Sequence, residues 1–175
     1  MKTLIPTALL LIALSLSALA QTSNSSRGQG YLFFAPGVAI NNSRLPSPAP
    51  GQATRASVHI GGGGEGFVYK GLGVGAEIGA AGPLSNFGAD AFGVGSVNLS
   101  YHFLPSATEP KLEPFVNLGY TLFFRAGVTH GGHAGLGLNR WLNKNIALRF
   151  EIRDYVEFAA NKGHLLGFRI GVTLR

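Results

Sequence analysis

Residues 135–156, GLGLNRWLNKNIALRFEIRDYV, decide how the rest of the chain is read. In the second half of the stretch Ile146, Leu148, Phe150, Ile152 and Val156 fall on one side of a period-two alternation. Ala147, Arg149, Glu151, Arg153 and Tyr155 fall on the other. Asp154 alone breaks the apolar row. A helix would need apolar residues three and four apart, and Gly131, Gly132, Gly135 and Gly137, which lead into the unit, would weaken it. The stretch therefore reads as a β-hairpin. Asn143, Lys144 and Asn145, which tolerate positive φ, are expected to make its turn.

The same alternation recurs outward from this hairpin. Leu72, Val74, Ala76 and Ile78 oppose Gly73, Gly75, Glu77 and Gly79, while Val97, Leu99, Tyr101 and Phe103 oppose Ser96, Asn98, Ser100 and His102. Val116, Leu118, Tyr120, Leu122 and Phe124 oppose Asn117, Gly119, Thr121 and Arg125. Leu166, Phe168, Ile170, Val172 and Leu174 oppose Gly167, Arg169, Gly171 and Thr173. Two further strands are expected near 30–38, where both faces are apolar and the facing stays open, and at 55–68. Residues 39–53, with Pro46, Pro48 and Pro50, read as the longest loop; 82–90, 104–114, 126–132 and 159–162 read as the other connections.

Eight strands of about ten residues, all reachable through hairpins, predict an all-β fold: an eight-stranded antiparallel up-and-down transmembrane β-barrel. Closure removes the edges that such strands would otherwise expose, and the strand length suits a tilted membrane crossing. The connections after strands 1, 3, 5 and 7 are expected to face outward, and those after 2, 4 and 6 to be short periplasmic turns. Tyr69, Tyr101, Phe103, Phe115 and Trp141 are expected to form one aromatic girdle, and Phe92, Phe123, Phe124, Tyr155 and Phe158 the other.

Composition agrees with this reading. Charged residues are 13% of the chain, about half the share of an average soluble domain, and 26 of 175 residues are glycine. Residues 1–20 have the layout of a secretory signal ending in Ala18-Leu19-Ala20, 21–29 read as a short disordered leader, and 30–175 as the barrel domain. The formal charge of +6 is spread thinly among apolar residues, which suits anionic lipid head groups better than nucleic acid. No cysteine is present, so no disulfide holds the fold.

The G-x-G-L-N-R-W-L-N run at 135–143 and I-A-L-R-F-E-I-R-D-Y-V at 146–156, together with the eight alternating strands and the export signal, resemble the small outer-membrane β-barrel family of OmpA type. The resemblance implies a location in the outer membrane of a Gram-negative-type bacterium, contact with its lipids and assembly by the barrel insertion machinery. It implies no single activity. The chain ends on Arg175 where many such barrels end on an aromatic, so the insertion signal is expected to rest on Phe168, Ile170, Val172 and Leu174. No cell-wall-binding domain is expected.

Four patterns bear on chemistry. GGGGEG at 61–66 satisfies G-x-G-x-x-G, but no helix follows it, so the glycines are expected to make room for large neighbours. His130 and His133 lack a third ligand nearby, and no metal or cofactor is expected. Ser57/His59 and Ser100/His102 run in the order Ser-x-His, where the lipid A deacylase type shows His-x-Ser, so no enzyme is expected. Glu65, Glu77, Arg125, Arg149, Glu151, Arg153 and Arg169 would meet in a closed lumen, where unpaired burial is costly, and they are expected to form a structural plug rather than a gate. The overall expectation is a barrel of structural or surface-interactive role, with 39–53 as the contact surface for an unidentified ligand. The rivals are a secreted lipocalin-like barrel, with polar residues outside and an apolar cavity within, a narrow pore and a lipid-modifying enzyme.

Overall fold

A computed structural model describes residues 28–41, 54–103, 111–158 and 163–175. The order is β1 (Gly28–Ile40), β2 (Thr54–Tyr69), β3 (Leu72–Pro83), a short turn of helix α1 (Phe87–Asp90), β4 (Phe92–His102), β5 (Leu112–Phe124), β6 (Val128–Trp141), β7 (Ile146–Glu157) and β8 (His164–Leu174). Each strand pairs antiparallel with its sequence neighbour, and β8 closes onto β1. The barrel has a terminal end, where β1 starts and β8 finishes, and a loop end, where β1 and β2 are joined. Strands of 11 to 16 residues, rising about 3.3 Å per residue and tilted about 40°, are long enough to cross an apolar band of about 25 Å.

Each outward row named above faces outward, with Leu118 58% exposed and Val97 also 58%. The open facing of β1 resolves with Leu32 and Phe34 outside and Tyr31, Phe33 and Ala35 inside. A continuous apolar exterior around a charged interior is the reverse of a lipocalin, in which the apolar residues would line the cavity.

The glycines act through space. Gly61 and Gly63 of the 61–66 run lie in β2 facing the lumen, where an added Cβ would sit 2.8 Å from the Phe33 ring and 2.9 Å from the Tyr31 hydroxyl. At Gly137 it would run into the Phe115 ring. Bulk on one strand is matched by its absence on the next, the only way an eight-stranded barrel can hold several rings.

Several expectations are corrected. Gly28 and Gln29 belong to β1, not to a leader, and Ala39 is a buried lumen residue rather than loop. The signal expected at 1–20, the leader residues 21–27, the body of the long loop at 42–53, and 104–110 and 159–162 lie outside the described residues. β6 begins at Val128, so the loop expected at 126–132 shrinks to a tight connection in which Arg125 N donates to Gly127 O. The loop-end connections are thus not uniformly long. The β6–β7 turn does not use positive φ: Asn143 Oδ1 accepts from the amides of Asn145 and Ile146, both at 2.9 Å, and that side-chain bond shapes the turn. Positive φ serves instead at Lys70 and Gly71, between β2 and β3. The girdles are thinner than expected. Tyr69, Tyr101 and Phe103 face outward at the terminal end and Phe124 and Phe158 at the loop end, but Phe92, Phe115, Phe123 and Tyr155 are buried in the lumen, and Trp141 points into its terminal mouth. Their sequence parity puts them on the inner face, and that outweighs their position near strand ends.

Candidate functional site: the lumen network

The interior is layered along the barrel axis. At the loop end Ala39, Ala81, Phe92, Val94, Phe123, Tyr155 and Leu165 form an apolar cluster. Below it the charged network begins, built chiefly by β7 and β8. Glu151 stands at its centre, with Arg149 and Arg153 two residues either side on the same face of β7 and Arg169 opposite it in register on β8.

Glu151 accepts from Arg153 Nε at 2.5 Å, Arg149 Nε at 3.2 Å, Arg169 Nη1 at 3.3 Å and Asn117 Nδ2 at 2.9 Å. Glu77, reaching across from β3, takes Arg153 Nη1 at 3.2 Å, Arg169 Nη2 at 2.7 Å and the hydroxyls of Tyr31 and Tyr155 at 3.1 and 3.0 Å. Two carboxylates and two guanidiniums therefore close a ring across the lumen, spanning β3, β7 and β8. Aromatic faces complete it: the Arg169 guanidinium lies 3.4 Å from the Phe33 ring centre, and that of Arg149 lies between Tyr31 and Phe115, at 4.4 and 3.9 Å.

A second tier lies towards the terminal end. Glu65 accepts from Gln29 Nε2 at 2.7 Å and from the Ser100 hydroxyl, and lies 3.6 Å from Arg149 Nη1. His102, fully buried and stacked on Phe115, reaches Glu65 through Nε2 at 3.2 Å and Glu113 through Nδ1 at 2.7 Å. Glu113 also accepts from Asn139, from Trp141 Nε1 at 3.1 Å and from Arg175 Nη2 at 2.7 Å, with Arg175 stacked over the Trp141 ring. A neutral imidazole has one donor and one acceptor, so His102 serves two ionised carboxylates only if the Glu65–His102–Glu113 line carries one extra proton. His102→Phe removes both donors and leaves the two carboxylates facing an apolar ring. It is expected to lower the unfolding free energy by about 1–3 kcal/mol, with His102→Gln, whose amide NH2 can still donate to a carboxylate, milder. Urea titrations of the detergent-folded protein check this, and equal losses for the two variants would contradict it.

Of the seven charged residues expected in the lumen, Glu65, Glu77, Arg149, Glu151, Arg153 and Arg169 are brought together there. Arg125 is not: β5 ends at Phe124, and its guanidinium lies outside the mouth on Ala89 O at 2.6 Å and Asp90 Oδ1 at 3.4 Å. Glu113, His102, Asn139 and Arg175 are network members that the sequence reading did not assign to it. Period-two parity within β5 would have put Glu113 on the inner face with Asn117, had Pro114 not marked the segment as a connection.

The other candidate chemistries separate in space. Ser100 bonds Glu65 rather than His102, and His59 packs edge-on against Phe33 and Tyr155, with ring centres 4.9 and 5.5 Å away. His130 and His133 lie on opposite faces of β6, the first bonded to the exposed Tyr120 hydroxyl and the second to Thr121 Oγ1 inside at 2.8 Å. They cannot share a metal ion.

A closed, shear-staggered barrel of eight antiparallel strands, apolar outside and ion-paired inside, defines a transmembrane β-barrel of the small outer-membrane type. Among solved structures it is similar to Neisserial surface protein A, with a TM-score of 0.66 at 11% identity over 85% of this chain and 97% of that one. It is also similar to the N-terminal β-barrel domain of Pseudomonas aeruginosa OprF, with a TM-score of 0.54 at 13% identity over 83% of this chain and 97% of the other. No family model and no curated protein matches the sequence. At these identities the likeness carries the fold alone.

Proposed function

We propose that this protein is an integral outer-membrane barrel with a structural or surface-interactive role, whose lumen is plugged by paired charges and does not conduct. The observation that supports the reading is the Glu77–Arg153–Glu151–Arg169 ring of ion pairs, which lies between the apolar cluster at the loop end and the Glu65–His102–Glu113 tier. A gate would need one side of such a ring free to swing. Here each of the two carboxylates is held by at least three other side chains.

On this reading the terminal end faces the periplasm and residues 42–53 form the main external contact surface for a ligand still to be identified. The role is non-enzymatic. The apolar exterior meets outer-membrane lipids, and the barrel insertion machinery is the partner during assembly. Lys70, Lys111, Arg140 and Lys144, exposed around the terminal rim beside Tyr69, Tyr101 and Phe103, suit the phosphate level of the inner leaflet. Cell fractionation with gel mobility before and after boiling tests the location. Recovery in the outer-membrane fraction with a heat-dependent shift is expected; recovery in the soluble periplasm without a shift would contradict it.

A further inference from the structure

The outer face of the barrel is not apolar all the way round. Within the described strands, the outward rows of β1 to β5 hold no Asp, Glu, His, Lys or Arg, whereas those of β6, β7 and β8 hold four: His130, Arg140, Asp154 and His164. Arg140 belongs to the terminal rim. The other three lie towards the loop end, on neighbouring strands. An ionisable side chain on the lipid-facing wall of a barrel carries a cost, so three of them together call for a partner outside the wall.

Their geometry is paired. Asp154 Oδ2 lies 2.8 Å from His164 Nδ1, with the two side chains 37% and 43% exposed. The carboxylate takes the Nδ1–H, which leaves Nε2 of the neutral ring as an acceptor. On β5 and β6 the exposed Tyr120 hydroxyl bonds His130 Nδ1, and where the phenol donates, His130 Nε2–H remains a donor. One ladder row joins the two pairs: Tyr120 is in register with Gly132, Gly132 with Val156, and Val156 with His164. That row spans three strand spacings, about 14 Å. Between the pairs the Phe158 ring lies over Gly132, where an added Cβ would come 3.2 Å from Phe158 Cζ, and its centre is 6.5 Å from that of Tyr120.

We propose that this face, from Tyr120 on β5 to His164 on β8, binds the sugar headgroup of an outer-leaflet glycolipid. A sugar hydroxyl both donates and accepts, so it can meet Asp154 and His164 Nε2 as well as His130 Nε2–H, while the apolar side of the sugar ring packs on Phe158. A lipid phosphate ester offers its charged oxygens only as acceptors and would meet the Asp154 carboxylate with like charge. Among the described residues no Lys or Arg stands in the outward rows of this face at the loop end to offset that repulsion. Arg125, just beyond the end of β5, is held by Ala89 O and Asp90 Oδ1. The terminal rim, with Lys70, Lys111 and Arg140, has the opposite chemistry, so the two ends suit different headgroups. The site rests on the outer-membrane reading in which the loop end faces outward.

The test is native mass spectrometry of the full chain, refolded in a sugar-free amine-oxide detergent and given equal amounts of diglucosyldiacylglycerol and phosphatidic acid with the same acyl chains. The diglucosyl lipid is expected to stay bound in preference to phosphatidic acid by about tenfold, the order that one or two net hydrogen bonds supply. Asp154→Leu with His164→Leu, and separately His130→Leu, extend the apolar wall and should erase the preference while keeping the heat-dependent gel shift. Phosphatidic acid held as well as the glycolipid, retention of neither, or a preference that survives in both variants would overturn the inference. The comparison of the two lipids on the unmodified chain decides even where a variant does not fold. Location is read out separately by fractionation, so a barrel in the outer membrane without a sugar preference would remove this site alone.

Discussion

Glu151→Gln is expected to lower the unfolding free energy by about 3–5 kcal/mol, because it strands positive charge among buried side chains. Glu151 touches all three lumen arginines, but they do not depend on it equally. Arg153 and Arg169 keep Glu77 at 3.2 and 2.7 Å, while Arg149 retains only Glu65 at 3.6 Å and the faces of Tyr31 and Phe115. Arg149 is therefore the charge left most exposed to the loss. Glu151→Gln with Arg149→Met should be milder than Glu151→Gln alone, since the stranded charge leaves with the substitution and Met can fill the slot between the rings. Reversible urea unfolding in detergent or thin bilayers gives the free energies of the unmodified protein, Glu151→Gln, Arg149→Met and the double variant. A double variant as unstable as the sum of its single changes would mean that the two side chains are not coupled.

Leu118→Arg is expected to cost about 2–4 kcal/mol when the protein is folded in a bilayer. Leu118 lies in the middle of β5, in register with Leu99 of β4 and Ala134 of β6, and is 58% exposed on the outer face. For a barrel in water an Arg there would change stability by no more than about 0.5 kcal/mol, because the position is already solvated. Leu142→Arg is the matched control. It is equally exposed at 59% but lies in the terminal-end turn, where the cost should fall to about 0–1 kcal/mol. Equal costs at both positions would place the apolar band elsewhere or remove it.

The facing of the strands was legible in the sequence because period two is all that a barrel wall requires. Arg149, Glu151 and Arg153 could be put on one side of β7 from their spacing, and Glu77 could be placed opposite the apolar row of β3. Which carboxylate meets which guanidinium was not legible, since that depends on the stagger between strands far apart in sequence: Glu77 and Arg153 are 76 residues apart. Glu113 was hidden by Pro114, which lies near the start of β5 in register with Leu138, a position where a strand tolerates the missing donor. Arg125 was misplaced for the opposite reason, since its parity is right but the strand stops one residue before it. For the rings, parity decides the facing and proximity to a strand end does not. Phe92, Phe123 and Tyr155 instead cap the charged tier with an apolar layer, and Phe115 and Trp141 support its terminal mouth.

The claim on which the rest turns is that paired charges fill the lumen. Single-channel recording of the purified, refolded protein in planar bilayers tests it most directly. A flat baseline at potentials that leave the membrane intact is expected from the unmodified chain. Stable, ion-selective current steps from that same chain would contradict the plug, and would mean that the Glu77–Arg153–Glu151–Arg169 ring opens in the membrane.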